Sequence, residues 1–573
     1  MSKEQQRGVS RRDFMKGAAF AGAAGIIGAA LPGCSSEAAP SAPAKDSLAG
    51  DITWDKEADI VVLGTGAAGL TSAMYAAKAG ASVLVLEKAS QDDEGGNTKV
   101  SGNCWTIPED PAKGLEYYVA LACSTEDEAY LKELATTLST INDDFMIDLP
   151  GMDITLSPIF SPEVPVCPGG DTLKCYVNKE AGSGLMWQAL RDGAAEYEGD
   201  GIEFLYETPG VRPIVARDGS GMVLGVVAEQ NGSEINVKAK KGVILATGGY
   251  EFNYNMIRNS YPGWPTYSRG TPYNTGDGIS IATKAGAQLW HMNAANAGGC
   301  AMRAPGLNFG HGAYDSDNVT VNMSNPAGAY LWVDQYGNRF MDETRTDSHG
   351  YGKREYVYWF DGLEVEWPRL PYWTIFDQAA AEAGPVGAGA GRSMMPTFTW
   401  FAAKSGYKWS DNNEAEVEKG WILKADTIEE LAQKMTEFQG KIEADEKRRE
   451  GRDGIVCDPA VLKATLDAYN AACAAGVDEE FGRKPDTLIA LGEGPYYAFA
   501  GYPTQYNTQG GPKRNAKAQT LDAYDEPIPH LYSVGENGAG WGWVYNGGFN
   551  IAECLATGQW AGTNAAAETP WDE

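Results

Sequence analysis

The sequence predicts an α/β fold wound about a parallel sheet, and three observations carry that reading. Residues 58–88, ADIVVLGTGAAGLTSAMYAAKAGASVLVLEK, run as apolar strand, glycine turn, alanine-rich helix and second apolar strand. That is a βαβ unit of about 30 residues, whose crossover helix forces its two strands parallel. Glycine-rich turns recur beside strand or helix starts at GGNTKVSGN (95–103), VILATGGYEFN (243–253) and LYSVGENGAG (531–540). A length of 573 residues, with 43% hydrophobic residues and 70 glycines, suffices for a large core and two closely joined domains.

In chain order, residues 1–34 come first, with Arg11 and Arg12 paired ahead of an Ala/Gly-rich stretch too short and too weakly apolar to anchor in a bilayer. This resembles a twin-arginine export signal. The resemblance implies a partner in the twin-arginine export machinery, a destination in the cell envelope, and a cofactor loaded before the folded protein leaves the cytoplasm. Leu31, Pro32, Gly33 and Cys34 also read as a lipobox, with Cys34 lipidated, the alternative being plain cleavage nearby. Residues 35–57, opening with a run rich in Ser, Ala and Pro, read as a flexible tether, so folding is expected to start at Ala58.

Lys and Arg number 46 against 77 Asp and Glu, a formal charge of −31, which excludes nucleic acid as a broad electrostatic partner. Beyond the first forty residues no apolar run approaches the roughly 20 residues of a membrane-spanning helix, so membrane contact is confined to a lipid on Cys34. Eight cysteines follow Cys34 without CxxC spacing, and no metal site is read from them. Most read as buried small hydrophobes, with Cys167 and Cys175 spaced for a loop disulfide.

Gly64, Gly66 and Gly69 form GxGxxG in the place where it carries a mechanism, after a strand and opening a helix. The first permits the turn, the second admits a pyrophosphate to the backbone, and the third lets the helix pack on the sheet. Ala67 and Ala68 start that helix, whose N-terminus faces the phosphate charge, and Glu87 and Lys88 close the next strand, the acid placed for ribose hydroxyls. The motif alone does not separate FAD from NAD. The three later glycine turns favour the longer cofactor, FAD, and contribute Gly96, Asn97, Thr98, Ser101 and Gly102, then Thr247 and Gly248, then Glu536. Asp277, Asn550 and Ile551 complete the candidate cofactor residues. Two helices are signalled further on, one by a capping box at Thr427 and Glu430, one by Asp458-Pro459 with a stop at Gly476, and both read as core packing.

The segments ILATGG, NTGDGISIATKAGAQL, GNRFMDET, TIEELA, YNAA, EEFGR, LYSVGE and GQWAGTNAAA occur in order within residues 58–567. Together they resemble the FAD-dependent fumarate reductase and 3-ketosteroid dehydrogenase superfamily. The resemblance implies a Rossmann-like FAD-binding domain, 58–295 and 501–573, interrupted by an α+β capping domain, 296–500, with substrate held where cap meets flavin. It implies that Glu87 holds the adenosine ribose, that Asn97, Thr98, Ser101 and Gly102 lie near the pyrophosphate and isoalloxazine, and that Glu536 binds the ribityl chain. The histidine that membrane fumarate reductases use for covalent attachment has no counterpart in GGNTKVSGN, so FAD is expected to be non-covalent.

The chain departs from the fumarate reductase pattern at the substrate. Asn507 stands where a histidine precedes the TxGG turn of Thr508, Gly510 and Gly511, and Gly298 stands near another expected histidine. Tyr545 replaces a carboxylate-clamping arginine, with Trp541 and Trp543 beside it. These changes disfavour fumarate and favour a planar or aromatic molecule. Glu343 and Arg345 sit where the family keeps its proton-delivery pair, the alternative being a structural salt bridge, and Arg392 and Tyr545 are further donors. The histidines at 291, 311, 349 and 530 form no ligand pattern and read as packing or surface residues, His349 also as a substrate contact.

The function expected is an exported FAD-dependent reductase of an activated carbon–carbon double bond in an enoate or enone, with hydride from flavin N5 and a proton from the cap side. With no haem CxxCH in the sequence, electrons are expected from a separate cytochrome or flavin carrier. The alternatives are a ring-ketone dehydrogenase of the ketosteroid type and a non-catalytic flavin electron-transfer lipoprotein.

Overall fold

Continuous apolar runs form the middle of the main sheet because both of its faces are covered. The computed structural model describes residues 46–157, 162–263, 266–268, 270–296, 300–302, 321–323, 326–345, 355–388, 409–446, 453–544 and 546–573. The segment read as an export signal, with Arg11, Arg12 and Cys34, lies outside these residues. Strands Lys56–Leu63, Val83–Leu86, Ile202–Leu205, Ser233–Leu245 and Pro527–Ser533 pair in parallel, with Lys56–Leu63 between Val83–Leu86 and Ser233–Leu245. The registers Ser533↔Leu245, Leu245↔Leu63, Leu63↔Leu86 and Leu86↔Leu205 bring all five carboxyl ends to one row. The parallel sheet read from the βαβ unit is therefore present, extended by the antiparallel hairpin Gly210–Val215 and Val223–Gln230.

Helix Ala67–Lys78 crosses one face and packs on the last helix, Phe549–Ala567. Gly558 and Gly562, four residues apart, let the two backbones touch: a Cβ on Gly558 would lie 2.8 Å from Ala68 O, and one on Gly562 would run into Ser72 O. The chain thus returns its final helix onto its first.

Part of the expected tether is packed rather than loose. Residues 46–57 include a short helix, Asp46–Ala49, and Leu48, Ala49, Ile52 and Trp54 join Ile214, Leu224 and Val227 in one apolar cluster. The strand begins at Lys56, two residues ahead of the expected start, because Asp55 and Thr53 already bond Asn236.

A second sheet is mostly antiparallel. Its spine is Tyr496–Gln505, flanked by Tyr372–Asp377 and Cys300–Met302, with Tyr330–Val333 and Val321–Met323 beyond. Helices Ile428–Glu446 and Pro459–Ala475 cover it, packing Leu431, Met435, Leu462 and Leu466 on Leu331, Trp373 and Ala498. Their caps are those the sequence signals: Glu430 N donates to Thr427 Oγ1, Asp426 N to Glu430 Oε2, Ala460 N to Asp458 Oδ1, and Gly476 closes at φ +69°. Cys167 and Cys175 are both free thiols; Cys175 is buried in a strand opposite Thr106, with the Cys104 thiol as its diagonal neighbour.

Candidate functional site

The residues that follow four of the aligned strand ends line one pocket. Open parallel sheets bind ligands at this edge, beyond the carboxyl ends of the strands. From the first turn come Gly64, Gly66, Ala67 and Ala68, from the second Glu87 and Lys88, from the third Thr247 and Gly248, and from the last Glu536. Gly96, Asn97, Thr98 and Asp277 complete the wall.

Glu87 is tied into its own turn, accepting from Thr65 N at 3.0 Å, Thr65 Oγ1 at 2.5 Å and Ala89 N at 2.7 Å. A carboxylate offers about four acceptor sites, so one remains for a ribose hydroxyl. Lys88 Nζ reaches Asp277 at 2.7 Å and so spans the rim. Ala67 N donates to Thr98 Oγ1 at 3.0 Å, which fixes the short helix Gly96–Lys99 against the start of the long one. Asn97 is a hub: its Nδ2 donates to Glu251 Oε1 and to Glu536 Oε2, and its Oδ1 accepts from Thr271 N. Burial pushes the Glu251 acid up to about 7, against the bonds from Asn97 and Asn274. Burial and then the neighbouring Glu251 push Glu536 well above the usual carboxylate range.

The site fits FAD. A Cβ on Gly66 would meet no protein atom closer than 3.6 Å, so the protein's own packing does not require that glycine. The room is at a helix N-terminus, where a pyrophosphate is held by backbone N–H groups and the helix dipole.

Five candidates lie off the pocket. Gly69 is a packing residue, as its place in the motif demands, since a Cβ there would overlap Gly64 O. Ser101 Oγ bonds back to Thr98 O at 2.9 Å, and Gly102 O accepts from Gly182 N, so both shape the loop behind Asn97. Ile551 packs on the main core, and Asn550 sits one residue into the last helix with a buried, unpartnered Oδ1.

The substrate candidates divide. Thr508 and Asn507 are buried next to the pocket: Thr508 N donates to Glu536 Oε1 at 3.1 Å and Thr508 Oγ1 accepts from Tyr250 N. Gly510 lies under Met292, where a Cβ would come within 2.6 Å of its Cα, and Gly511 abuts Gly538. Trp541 is corrected: it is 1% exposed, packed between Tyr118 and Phe549 in the core, and offers no face to a substrate. Trp543 is 48% exposed and is not among the residues that line the pocket. Tyr545, Arg392, Gly298, His311 and His349 lie outside the described residues.

Glu343 is also corrected. Its oxygens are taken by Arg339 Nε at 3.1 Å and Arg483 Nη1 at 2.5 Å, and Arg339 continues to Asp478 at 2.8 Å. This is a buried ion network at the second sheet, where Arg483 also donates to Tyr330 O. Arg345 is exposed, its guanidinium 6.0 Å from the Tyr356 ring centre, so the two do not form a relay.

Several residues were missed. Glu251 stands two places after the glycine pair in TGGYEFN, an acid in an otherwise neutral turn, and that was a usable signal. Gln505 and Gln509 flank Asn507, and all three side chains are buried with amide atoms that meet no partner. His291, read as packing or surface, binds Ala539 O through Nδ1 and Glu126 through Nε2, each at 2.7 Å, and so pins the turn leading to Trp543.

A family model described as FAD binding domain matches residues 59–550. A digoxin reductase of Eggerthella lenta is 25% identical, with 99% of this chain and 98% of that protein covered. A vinyl phenol reductase of Lactiplantibacillus plantarum is 27% identical over 84% of this chain and 90% of that one. Among solved structures, a 3-ketosteroid Δ1-dehydrogenase from Sterolibacterium denitrificans superposes with a TM-score of 0.67 at 21% identity, covering 89% of this chain and 100% of that one, which shows the shared fold.

Proposed function

Because the chain belongs to the FAD binding domain family and is an FAD-dependent oxidoreductase acting on CH–CH bonds, we propose that it reduces the activated double bond of a planar enone or enoate rather than of fumarate. One observation carries this reading: the segment beside the pocket presents Gln505, Asn507 and Gln509, neutral amides, buried and unpartnered. A buried polar group without a partner costs about 1–3 kcal/mol, so three in one segment are explained by a ligand that supplies what they lack. Amides donate to a carbonyl oxygen without the cations that a dicarboxylate calls for. The relative named for vinyl phenol, an aromatic alkene, supports the same choice.

Bound FAD supplies the hydride. The chain's residues then orient the alkene, exclude water and deliver one proton from the cap side, where Arg345, Arg392 and Tyr545 are the remaining donors. Electrons enter from a separate cytochrome or flavin carrier, and the protein works in the cell envelope after twin-arginine export, with Cys34 as the site of a lipid.

The test is anaerobic. Dithionite-reduced protein is mixed with aryl enones, aryl acrylates, vinyl phenols and fumarate, and flavin absorbance is followed. Reoxidation by aromatic alkenes but not by fumarate is expected; reoxidation by fumarate alone, or by none of the panel, overturns the proposal.

A further inference from the structure

Glu251 and Glu536 reach one point from two separate turns. Glu251 is fully buried, whereas Glu536 keeps a face in the FAD pocket. The Asn97 amide bridges them, donating to Glu251 Oε1 at 2.8 Å and to Glu536 Oε2 at 3.1 Å. Asn274 adds a second donor to Glu251 Oε1 at 2.8 Å, and Thr508 N one to Glu536 Oε1 at 3.1 Å. Glu251 Oε2 receives none. It converges with Glu536 Oε1 on Gly249, where a Cβ would stand 2.6 Å from the first and closer still to the second.

Among the described residues the donors bonded to the two carboxyls are Asn97, Asn274 and the Thr508 N–H, and no lysine, arginine or histidine forms an ion pair with either. The other titratable groups that face the pair are the Tyr250 phenol and the Cys554 thiol, both neutral when protonated and both held protonated by burial. Two carboxyls this close, with no cation, do not both ionise readily. A proton on one of them is also the donor that Glu251 Oε2 lacks.

We propose that Glu251 and Glu536 form an acid–carboxylate pair that stores one exchangeable proton in the wall of the FAD pocket. Glu536 faces the pocket and exchanges the proton with water there; Glu251 is the positioning residue that retains it. No other bond forms or breaks, and loss of the proton takes the wall from one negative charge to two. Negative charge added to the pocket on flavin reduction is better tolerated beside the singly charged wall, so the pair ties the reduction potential to pH. Apparent acid constants belong to the pair rather than to either residue. The inference holds whichever alkene is the substrate.

Infrared difference spectroscopy and potentiometry of the holoenzyme test it. At mildly alkaline pH the wild type should show the D2O-sensitive carbonyl stretch of a protonated carboxyl that Glu251→Gln and Glu536→Gln each lose, because burial alone, without the second negative charge, holds the remaining proton less firmly. That band needs only the two carboxyls, so it is read even where Glu536→Gln binds no flavin. The plot of reduction potential against pH should bend in the wild type and lose that bend in Glu251→Gln, at unchanged flavin content. A wild type without the band, a band that persists in Glu251→Gln, or an identical bend in both proteins overturns the proposal.

Discussion

A Cβ on Gly64 would stand 2.5 Å from Ala246 O and one on Gly69 would overlap Gly64 O, whereas one on Gly66 would make only ordinary contacts, 3.6 Å from Thr98 Oγ1 and 3.9 Å from Gly95 O. Three glycines of one motif thus answer to different demands, two to the protein and one to the cofactor. We expect Gly66→Val to keep the fold while weakening FAD about tenfold or more, a loss of at least about 1.4 kcal/mol, read as flavin absorbance per protein beside an unchanged far-ultraviolet circular dichroism spectrum. Gly69→Val should lose both. These residues were legible because strand, turn and helix follow one another in sequence. Gln505 and the ion pairs of Glu343 were not, since both depend on groups brought from far along the chain: Arg483 lies 140 residues from Glu343. Trp541 misled for the same reason, because sequence position near Tyr545 says nothing of the Tyr118 and Phe549 rings that enclose it.

Between helix and turn, Arg514, Glu553 and Tyr130 form a fully buried network that holds the turn carrying Glu536. Arg514 Nη1 donates to Gly535 O at 3.0 Å, and Gly540 N to Glu553 Oε1 at 2.8 Å, so both ends of that turn are fixed. Arg514→Met leaves a buried carboxylate without its cation, for which we expect a loss of about 3–5 kcal/mol in denaturant unfolding, with flavin released earlier in the titration. The double change Arg514→Met with Glu553→Leu should recover much of it. His530, on strand Pro527–Ser533, is held below the ordinary histidine value by burial, with Glu568 opposing. The unfolded chain then binds a proton that the folded chain resists, so stability falls as pH drops through the ordinary value of about 6.5. His530→Gln should therefore flatten the decline of Tm between about pH 7.5 and 5. Helix ends were readable at this scale from Thr427, Asp458 and Gly476; the pairing of Tyr330 with Phe376 or Trp373 with Ala500 was not, since registers between distant strands leave no local mark.

For the molecule as a whole, the paired Arg11 and Arg12 belong to the proposed route out of the cell. Replacing both arginines by lysine should leave the protein cytoplasmic yet yellow; fractionation that finds the variant exported as before removes that part of the proposal. The packed segment around Trp54 places residues 46–57 with the folded body rather than with a tether. Within the described body, Tyr496–Gln505 is both the spine of the cap sheet and the lead-in to Thr508, whose N–H is bonded to Glu536. Ten residues of strand make a stiff rod about 33 Å long, paired along its length within the second sheet and ending three residues short of Thr508. Such a rod is a lever arm: a tilt of the second sheet would be delivered as a displacement at Thr508, and so at the carboxyl of Glu536 to which its N–H is bonded.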